Sequence, residues 1–469
     1  MNSLQVNGTE FHRLGDRVAT LAARYLDQLD ELPILPRATG RETDALFHHA
    51  LPEEGIGEKA FQDLERVLEG CRAQNGRFFG YVLGSAEPVA ATADLLASVL
   101  NQNVTAWRSA PAATTIERTV VECLATSIGC AGFLGSLTGG GSAANLMGLA
   151  MAREAMLPAN KAGLVAQRQA VIYASQEAHM SISKSVALLG IGSEHLRWIA
   201  IDDRRRMLPA ELENAIRNDK QEGKIPTAVV ATAGTVNCGA IDPLLPIAEV
   251  ARKHKLWLHV DGAYGALAAL ATPERFAGMN LADSISLDPH KWLYQPLDCG
   301  CLLYRDDTAA RRAFSDTGDY AKSWSADPVE GFAFFEESME LSRRFRALKL
   351  WLSLRYHGLG AFRRAIQSNL ELAQRLASAI GHQPQLELLA PVELSAVCFR
   401  CKAEGRSQDE ANARNARILK RVNERGRVYL SNATLEERFA LRACIVNHRT
   451  TELDVDSVIS EVLTAASEI

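Results

Sequence analysis

No run of about 18 uninterrupted apolar residues occurs in the 469-residue chain, and roughly that length is needed to cross a bilayer. The sequence therefore predicts no membrane span. The first residues, Met1-Asn2-Ser3-Leu4-Gln5, lack the basic start and apolar stretch of a secretory leader, so a cytoplasmic location is expected. Positive charge is not in excess: 51 Lys and Arg stand against 56 Asp and Glu, a net charge of −5. That balance gives no reason to expect nucleic acid or an anionic membrane as partner. No His/Cys cluster has zinc-ligand spacing, and no metal is expected. Nine cysteines are an odd number. Without secretion signals they read as reduced, mostly buried thiols. Cys398-Phe399-Arg400-Cys401 has redox-motif spacing, yet it lies in a strand-like run with no helix opening at the second cysteine. Internal repeats, low-complexity segments and the dinucleotide fingerprint Gly-x-Gly-x-x-Gly are all missing.

What is present is an ordinary globular composition, 47% hydrophobic and 23% charged, in a chain long enough for two or three domains. Residues 9–75 show helical apolar spacing, interrupted at Leu32-Pro33-Ile34-Leu35-Pro36. From about 86 to 310, helical segments alternate with short apolar strands at 171–174, 195–199, 227–231, 256–260, 284–287 and 300–304. Such alternation predicts an α/β fold with a mostly parallel sheet covered on both faces. A long helix is expected over 341–380. A smaller α+β unit should follow, with strands at 386–389, 395–400, 427–431 and 439–443 and a last helix near 454–466. The expected division is a helical arm 1–85, a large domain 86–360 and a small domain 361–469. An extended arm without a core of its own needs another surface to cover it, and a second subunit is the expected one.

The chemistry concentrates in Asp288-Pro289-His290-Lys291-Trp292 and in Leu258-His259-Val260-Asp261-Gly262-Ala263-Tyr264. A strand-end carboxylate followed by a strand-end lysine suits pyridoxal 5′-phosphate (PLP). The amine can form a Schiff base with the cofactor aldehyde, and the carboxylate can hold the pyridine nitrogen protonated. Alone, Lys291 would read as a solvated charge and Asp261 as a helix cap. Upstream, Leu137-Thr138-Gly139-Gly140-Gly141-Ser142 opens an Ala/Leu/Met-rich helix expected over 143–155. Its glycines and N-terminal N–H groups could cradle a phosphate. His179 follows the strand at 171–174, where a flat imidazole could stack on a cofactor ring, although a lone histidine is more often structural. Thr138, His179, Thr235, Asp261 and Lys291 all fall at or just beyond expected strand ends, where ligands sit in such sheets.

These motifs occur in one order with Trp107, Ala110-Pro111-Ala112, Thr114 and Glu117 before them and Leu341-Ser342-Arg343-Arg344-Phe345-Arg346 after them. From about Arg77 to the C-terminus the chain resembles the group II PLP-dependent amino-acid decarboxylases, of the aromatic-L-amino-acid decarboxylase kind. The resemblance implies a fold type I PLP enzyme with an N-terminal arm, a large domain and a small C-terminal domain. It implies Lys291 as Schiff-base lysine, Asp261 as ring-nitrogen partner, His179 as stacking residue and Ala263 on the other ring face. Ser142 and His290 are placed near the phosphate, with Gly140, Gly141, Thr235 and Asp288 in the same cofactor set. Phe78, Phe79, Tyr81 and Trp107 resemble substrate-side positions, though packing of the arm explains them equally well. The expected assembly is a homodimer with the active site at the subunit interface.

Two departures from the family pattern bear on the outcome. Relatives carry a loop tyrosine that assists reprotonation; the ungapped count reaches Phe334, and Tyr320 is the alternative donor. A phenylalanine there accompanies oxygen-dependent conversion to aldehyde in related aldehyde synthases. Val236 stands where relatives often have threonine. Asn103 and Thr105 are smaller and more polar than the matching wall of aromatic decarboxylases, which leaves a small polar or acidic substrate open. Decarboxylation of an L-amino acid, aromatic by resemblance, to the amine is the expected reaction. The alternatives are aldehyde synthesis and an aminotransferase clamping its substrate carboxylate through Arg442.

Overall fold

The computed structural model describes residues 4–36, 38–164, 169–316, 327–402 and 405–469. Seven strands form the central sheet: β1 Leu134–Thr138, β2 Ala170–Ser175, β3 Leu196–Ile199, β4 Ile225–Thr232, β5 Trp257–Asp261, β6 Ser284–Leu287 and β7 Gly300–Tyr304. Their order is β1-β7-β6-β5-β4-β2-β3. From β3 to β6 all pairings are parallel, and β7 runs antiparallel to both β6 and β1. Strands such as Val171-Ile172-Tyr173-Ala174 and Ala228-Val229-Val230-Ala231 are buried along their whole length. That is why they read as continuous apolar runs rather than as alternating ones. The register pairs Thr232 with Asp261 and Asp261 with Ser286, so the carboxyl ends of β4, β5 and β6 finish level.

Helices α1 Gly8–Gln28, α2 Gly40–Phe47 and α3 Asp63–Gly70 form the N-terminal part, and none of them buries a residue. Around the large sheet lie α4 Pro88–Leu100, α5 Pro111–Ser127, α6 Gly141–Met156, α7 Met180–Leu188, α8 Pro209–Gln221, α9 Leu244–His254, α10 Pro289–Trp292 and α11 Asp307–Phe314. One sheet face packs on α5, α8 and α9 in the largest core cluster. The other packs on α6, α7 and α11. Then come α12 Ala347–His357 and α13 Leu359–Gly381, followed by β8 Leu386–Leu388, β9 Ala396–Cys401, α14 Gln408–Arg425, β10 Ser431–Leu435, β11 Arg438–Cys444 and α15 Glu452–Ser467. These last four strands make an antiparallel sheet, order β10-β11-β9-β8, with its own core. This is the α/β, fold type I arrangement that the sequence predicts.

Three details differ from expectation. The single helix over 341–380 is two helices, parted at Gly358 with φ +72°, and it starts only at Ala347. Residues 341–346 stay non-helical because Arg343 turns inward. Its guanidinium reaches Glu117 Oε1 at 2.5 Å, Val104 O and Leu137 O. The strand expected at 427–431 is displaced to Ser431–Leu435. It joins β11 through Glu436 and Glu437, both at positive φ. A two-residue turn of that shape ordinarily takes Asn-Gly, so the sequence carries no turn signal there. Finally, β1 ends at Thr138, where a strand end was expected although no bounds were drawn for the strand itself.

Candidate active site

Four strand ends deliver the chemistry to one place, as expected at the carboxyl ends of a parallel sheet. β5 ends in Asp261. β6 runs into Asp288 and the short helix α10, which carries His290 and Lys291. β1 leads through Gly139 and Gly140 into α6, and β2 leads to His179, the N-cap of α7. They meet at a cavity of about 490 Å³ lined by Gly140, Gly141, Ser142, His179, Asp261, Ala263, Asp288, His290 and Lys291.

Lys291 Nζ lies 3.1 Å from Asp288 Oδ2 and is one-fifth exposed, so the amine is reachable from the cavity. The Asp261 carboxylate is buried. It accepts hydrogen bonds from Asn145 Nδ2 at 3.1 Å, Ser286 Oγ at 3.2 Å and Ala263 N at 3.2 Å. His179 Nδ1 accepts from Ser181 N at 3.2 Å, which fixes the ring at the start of α7. Burial lowers the His179 pKa; Asp261 nearby opposes this and Lys291 adds to it. His290 places Nδ1 2.7 Å from Cys299 O, so Nδ1 carries the hydrogen, and burial lowers this imidazole too. Beneath Asp261, His259 is fully buried and its pKa is pushed down to about 4, chiefly by desolvation.

The residues fit a phosphate-bearing aldehyde. Gly140 sits at φ +134°, which L side chains rarely adopt. A Cβ on Gly141 would come within 2.6 Å of Ala263 Cβ and 2.9 Å of Asp288 Oδ2. Helix α6 has no side-chain cap, leaving its first N–H groups directed at the cavity mouth. Two buried polar atoms on the wall, Asp288 Oδ1 and Thr232 Oγ1, have no protein partner. Buried polar atoms are ordinarily paired, so two orphans beside one cavity mark its wall as polar and incompletely satisfied by the protein.

Other anticipated residues lie elsewhere in this chain. Thr235 is buried and faces a turn: its hydroxyl accepts from Ala240 N at 3.1 Å, while Thr232, Gly234 and Val236 line the cavity instead. Phe78 stacks on Tyr429 at 5.3 Å, and Phe79 is part of the small-domain core. Tyr81 is largely exposed, its hydroxyl held by Arg72 at 3.0 Å. Trp107 is tied to Phe332 through its backbone. None of these four lines the cavity. Phe334 is fully buried, with the Arg343 guanidinium 4.1 Å from its ring centre, and it does not line the cavity. Tyr320 lies outside the described residues. Arg442 gives its guanidinium to Val236 O at 2.7 Å, Ser431 Oγ at 2.9 Å and Gly80 O at 3.3 Å, so all three of its nitrogens are already engaged, and it does not line the cavity.

Sequence reasoning missed Asn145, Ser181, Thr232, Val82, Leu297 and Glu340, all on the cavity wall. Only Asn145 had a signal. It is the single amide in the apolar run Ala143–Met151, one helical turn after Gly141 and on the same face.

Comparison with known proteins agrees with this geometry. Residues 41–402 match the model of the pyridoxal-dependent decarboxylase conserved domain. The chain is 33% identical over 475 residues to an aromatic-L-amino-acid decarboxylase of Bacillus atrophaeus, covering 100% of this chain and 98% of that protein. It is 30% identical over 469 residues to a 4-hydroxyphenylacetaldehyde synthase of Rhodiola rosea, covering 96% of this chain and 94% of the relative. The crystal structure of Oryza sativa TDC with PLP and tryptamine superposes with a TM-score of 0.92 at 26% identity, covering 100% and 99% of the two chains. The chain thus belongs to the pyridoxal-dependent decarboxylase family and is a PLP-dependent carboxy-lyase acting on an amino acid.

Proposed function

We propose that this chain decarboxylates an aromatic L-amino acid to its amine, with Lys291 holding the cofactor. When bound, PLP supplies an electron sink for the pair left behind as CO2 departs. The other tasks fall to the protein. Gly141 and Ser142 would offer N–H and hydroxyl donors to the phosphate at the α6 N-terminus, with Gly140, whose own N–H is given to Thr138 Oγ1, shaping the approach and His290 alongside. Asp261, oriented by hydrogen bonds from Asn145 Nδ2, Ser286 Oγ and Ala263 N, would accept from the protonated ring nitrogen. His179 and Ala263, both on the cavity wall, would cover the two faces of the ring. Lys291, whose Nζ is reachable from the cavity, would hold the cofactor aldehyde and could also move protons there. The observation that carries this reading is the convergence of Lys291, Asp261 and the glycine loop on one cavity.

The aromatic class rests on relatives named as aromatic-L-amino-acid and tyrosine decarboxylases and on the apolar wall from Val82, Val236 and Leu297. The prior engagement of Arg442 weighs against an aminotransferase. The aldehyde alternative retains a specific relative, the Rhodiola rosea synthase. Incubating the protein and PLP with a panel of amino acids, while assaying CO2, amine, aldehyde and peroxide together, decides. Amine and CO2 in equal amounts from an aromatic substrate are expected. Peroxide and aldehyde under air would favour the synthase, and keto-acid-dependent transfer without CO2 would overturn the proposal.

The same reading includes a homodimer with the site at the interface, built from an arm 1–85, a large domain 86–360 and a small domain 361–469. Supporting it, α4 exposes Leu95, Leu96, Val99 and Leu100 on one face, a stripe that water disfavours. A reducing compartment such as the cytoplasm is proposed because all nine cysteines are free thiols. No helix among the described residues is long and apolar enough to cross a membrane.

A further inference from the structure

Beneath the cavity floor the hydrogen-bond donors and acceptors can be assigned one by one. Trp257 Nε1–H, which can only donate, gives to Ser284 Oγ at 2.9 Å. Ser284 then gives its own hydrogen to His259 Nδ1 at 2.8 Å. His259 is therefore left with its hydrogen on Nε2, and Asn145 Oδ1 accepts it at 2.9 Å. That settles the orientation of the Asn145 amide. Its two N–H groups point at Asp261 Oδ2, 3.1 Å away, and at Ser181 Oγ, 3.0 Å away. A flipped amide would set N–H against N–H at His259 and oxygen against carboxylate at Asp261. Ser181 in turn passes its hydrogen to His179 Nδ1 at 2.8 Å. With Ser181 N directed at the same atom, Nδ1 must be the acceptor and Nε2 the protonated nitrogen of the neutral ring.

Every member between Ser284 and Ser181 is buried, so water cannot substitute for a missing partner. The surrounding packing is shaped for the relay. Gly148, one turn beyond Asn145 on α6, lies so close to His259 that a Cβ there would be 2.6 Å from the ring and 3.2 Å from Ser284 Oγ. Helix α6 thus offers an anion cradle at Gly141, an amide at Asn145 and a slot for the imidazole at Gly148, all on one face.

We infer that Asn145 is a positioning residue for both protein partners of the cofactor ring, orienting Asp261 directly and His179 through Ser181, with its own orientation set by His259. This rests on the assignment of Asp261 and His179 to the ring, and it explains why two residues on different strands are held in one alignment. Removing Asn145 leaves Asp261 short of one donor and frees the Ser181–His179 pair. Removing His259 frees the amide to flip.

The test compares purified holoenzymes. Asn145→Ala is expected to weaken PLP binding and lower kcat, each by roughly tenfold to a hundredfold, with KM changed much less. It should also shift the absorbance band of the bound cofactor. His259→Gln, which keeps a donor toward Asn145 and an acceptor toward Ser284, is expected to stay near the parent in both cofactor affinity and spectrum. His259→Leu, with neither, should behave like Asn145→Ala. The His259 pair gives the answer even if Asn145→Ala does not fold. An unshifted spectrum and unchanged PLP affinity in Asn145→Ala, or equal behaviour of His259→Gln and His259→Leu, would overturn the inference. Failure of the underlying reading looks different: the parent protein itself would show no cofactor band and no reducible cofactor linkage.

Discussion

In the proposed reading the chemistry turns on Asp261, whose side chain accepts from three donors on the protein side and would face the ring nitrogen of the cofactor. Asp261→Asn should still fold and retain some PLP, since the phosphate cradle and Lys291 are untouched. Its turnover should drop by about tenfold to a hundredfold or more, as an amide cannot hold a pyridinium proton. Full turnover in steady-state assays of that variant would show the nitrogen to be managed elsewhere. Phe334 gives a contrasting expectation. Its ring is sealed under Arg343, so Phe334→Tyr adds an oxygen where there is no room. The variant should lose roughly 1–3 kcal/mol in urea unfolding and leave the ratio of amine to aldehyde unchanged. A shift toward amine under air would contradict that placement. At this scale the sequence was legible in placement: it set Lys291, Asp261 and His179 at or just beyond strand ends, and the structure brings all three to one cavity. It was illegible where function depends on which way a common residue faces. Thr232 faces the cavity and Thr235 a turn, and spacing cannot tell them apart.

Among the elements, the proposed reading gives α6 to the cofactor and α4 to the assembly. Leu95, Leu96, Val99 and Leu100 sit about half exposed on α4, while α1 to α3 bury nothing. A helical arm without a core needs a cover. We expect light scattering to give a dimer for the parent and dissociation for the double variant Leu96→Glu, Val99→Glu. An active parent monomer would remove the dimer from the account. Elements with strong periodicity, such as α9 Leu244–His254 and β6 Ser284–Leu287, were readable to the residue. The hairpin at Glu436-Glu437 was not, because tertiary pairing imposes positive φ on residues that carry no turn signature. The start of α12 escaped for a similar reason. Arg343 gains more from Glu117, Val104 O and Leu137 O than from continuing a helix.

Across the whole molecule, buried histidines set the response to acid. His259 and His448 have pKa values lowered to about 4, mainly by burial. In the unfolded chain they bind protons near pH 6.5, whereas the folded protein resists until about pH 4. Stability therefore falls as pH drops from 6.5 toward 4, by roughly 3 kcal/mol per histidine at the lower end. Asp242 works in the other direction. Burial raises it to about 7, so the folded state holds its proton where the unfolded state does not, and that contribution is present at low pH and lost as pH rises through 7. Urea midpoints of the apoprotein should fall between pH 6.5 and 4.5, and fall more steeply in Asp242→Asn; midpoints that rise on acidification would contradict this. The central claim concerns the cavity where the strand ends of the large sheet converge, and one measurement addresses it. Holoenzyme is reduced with borohydride, digested and mapped by peptide mass. The account predicts a pyridoxyl group on Lys291 and on no other lysine. Label on a different lysine, or none on Lys291 in active enzyme, would contradict it.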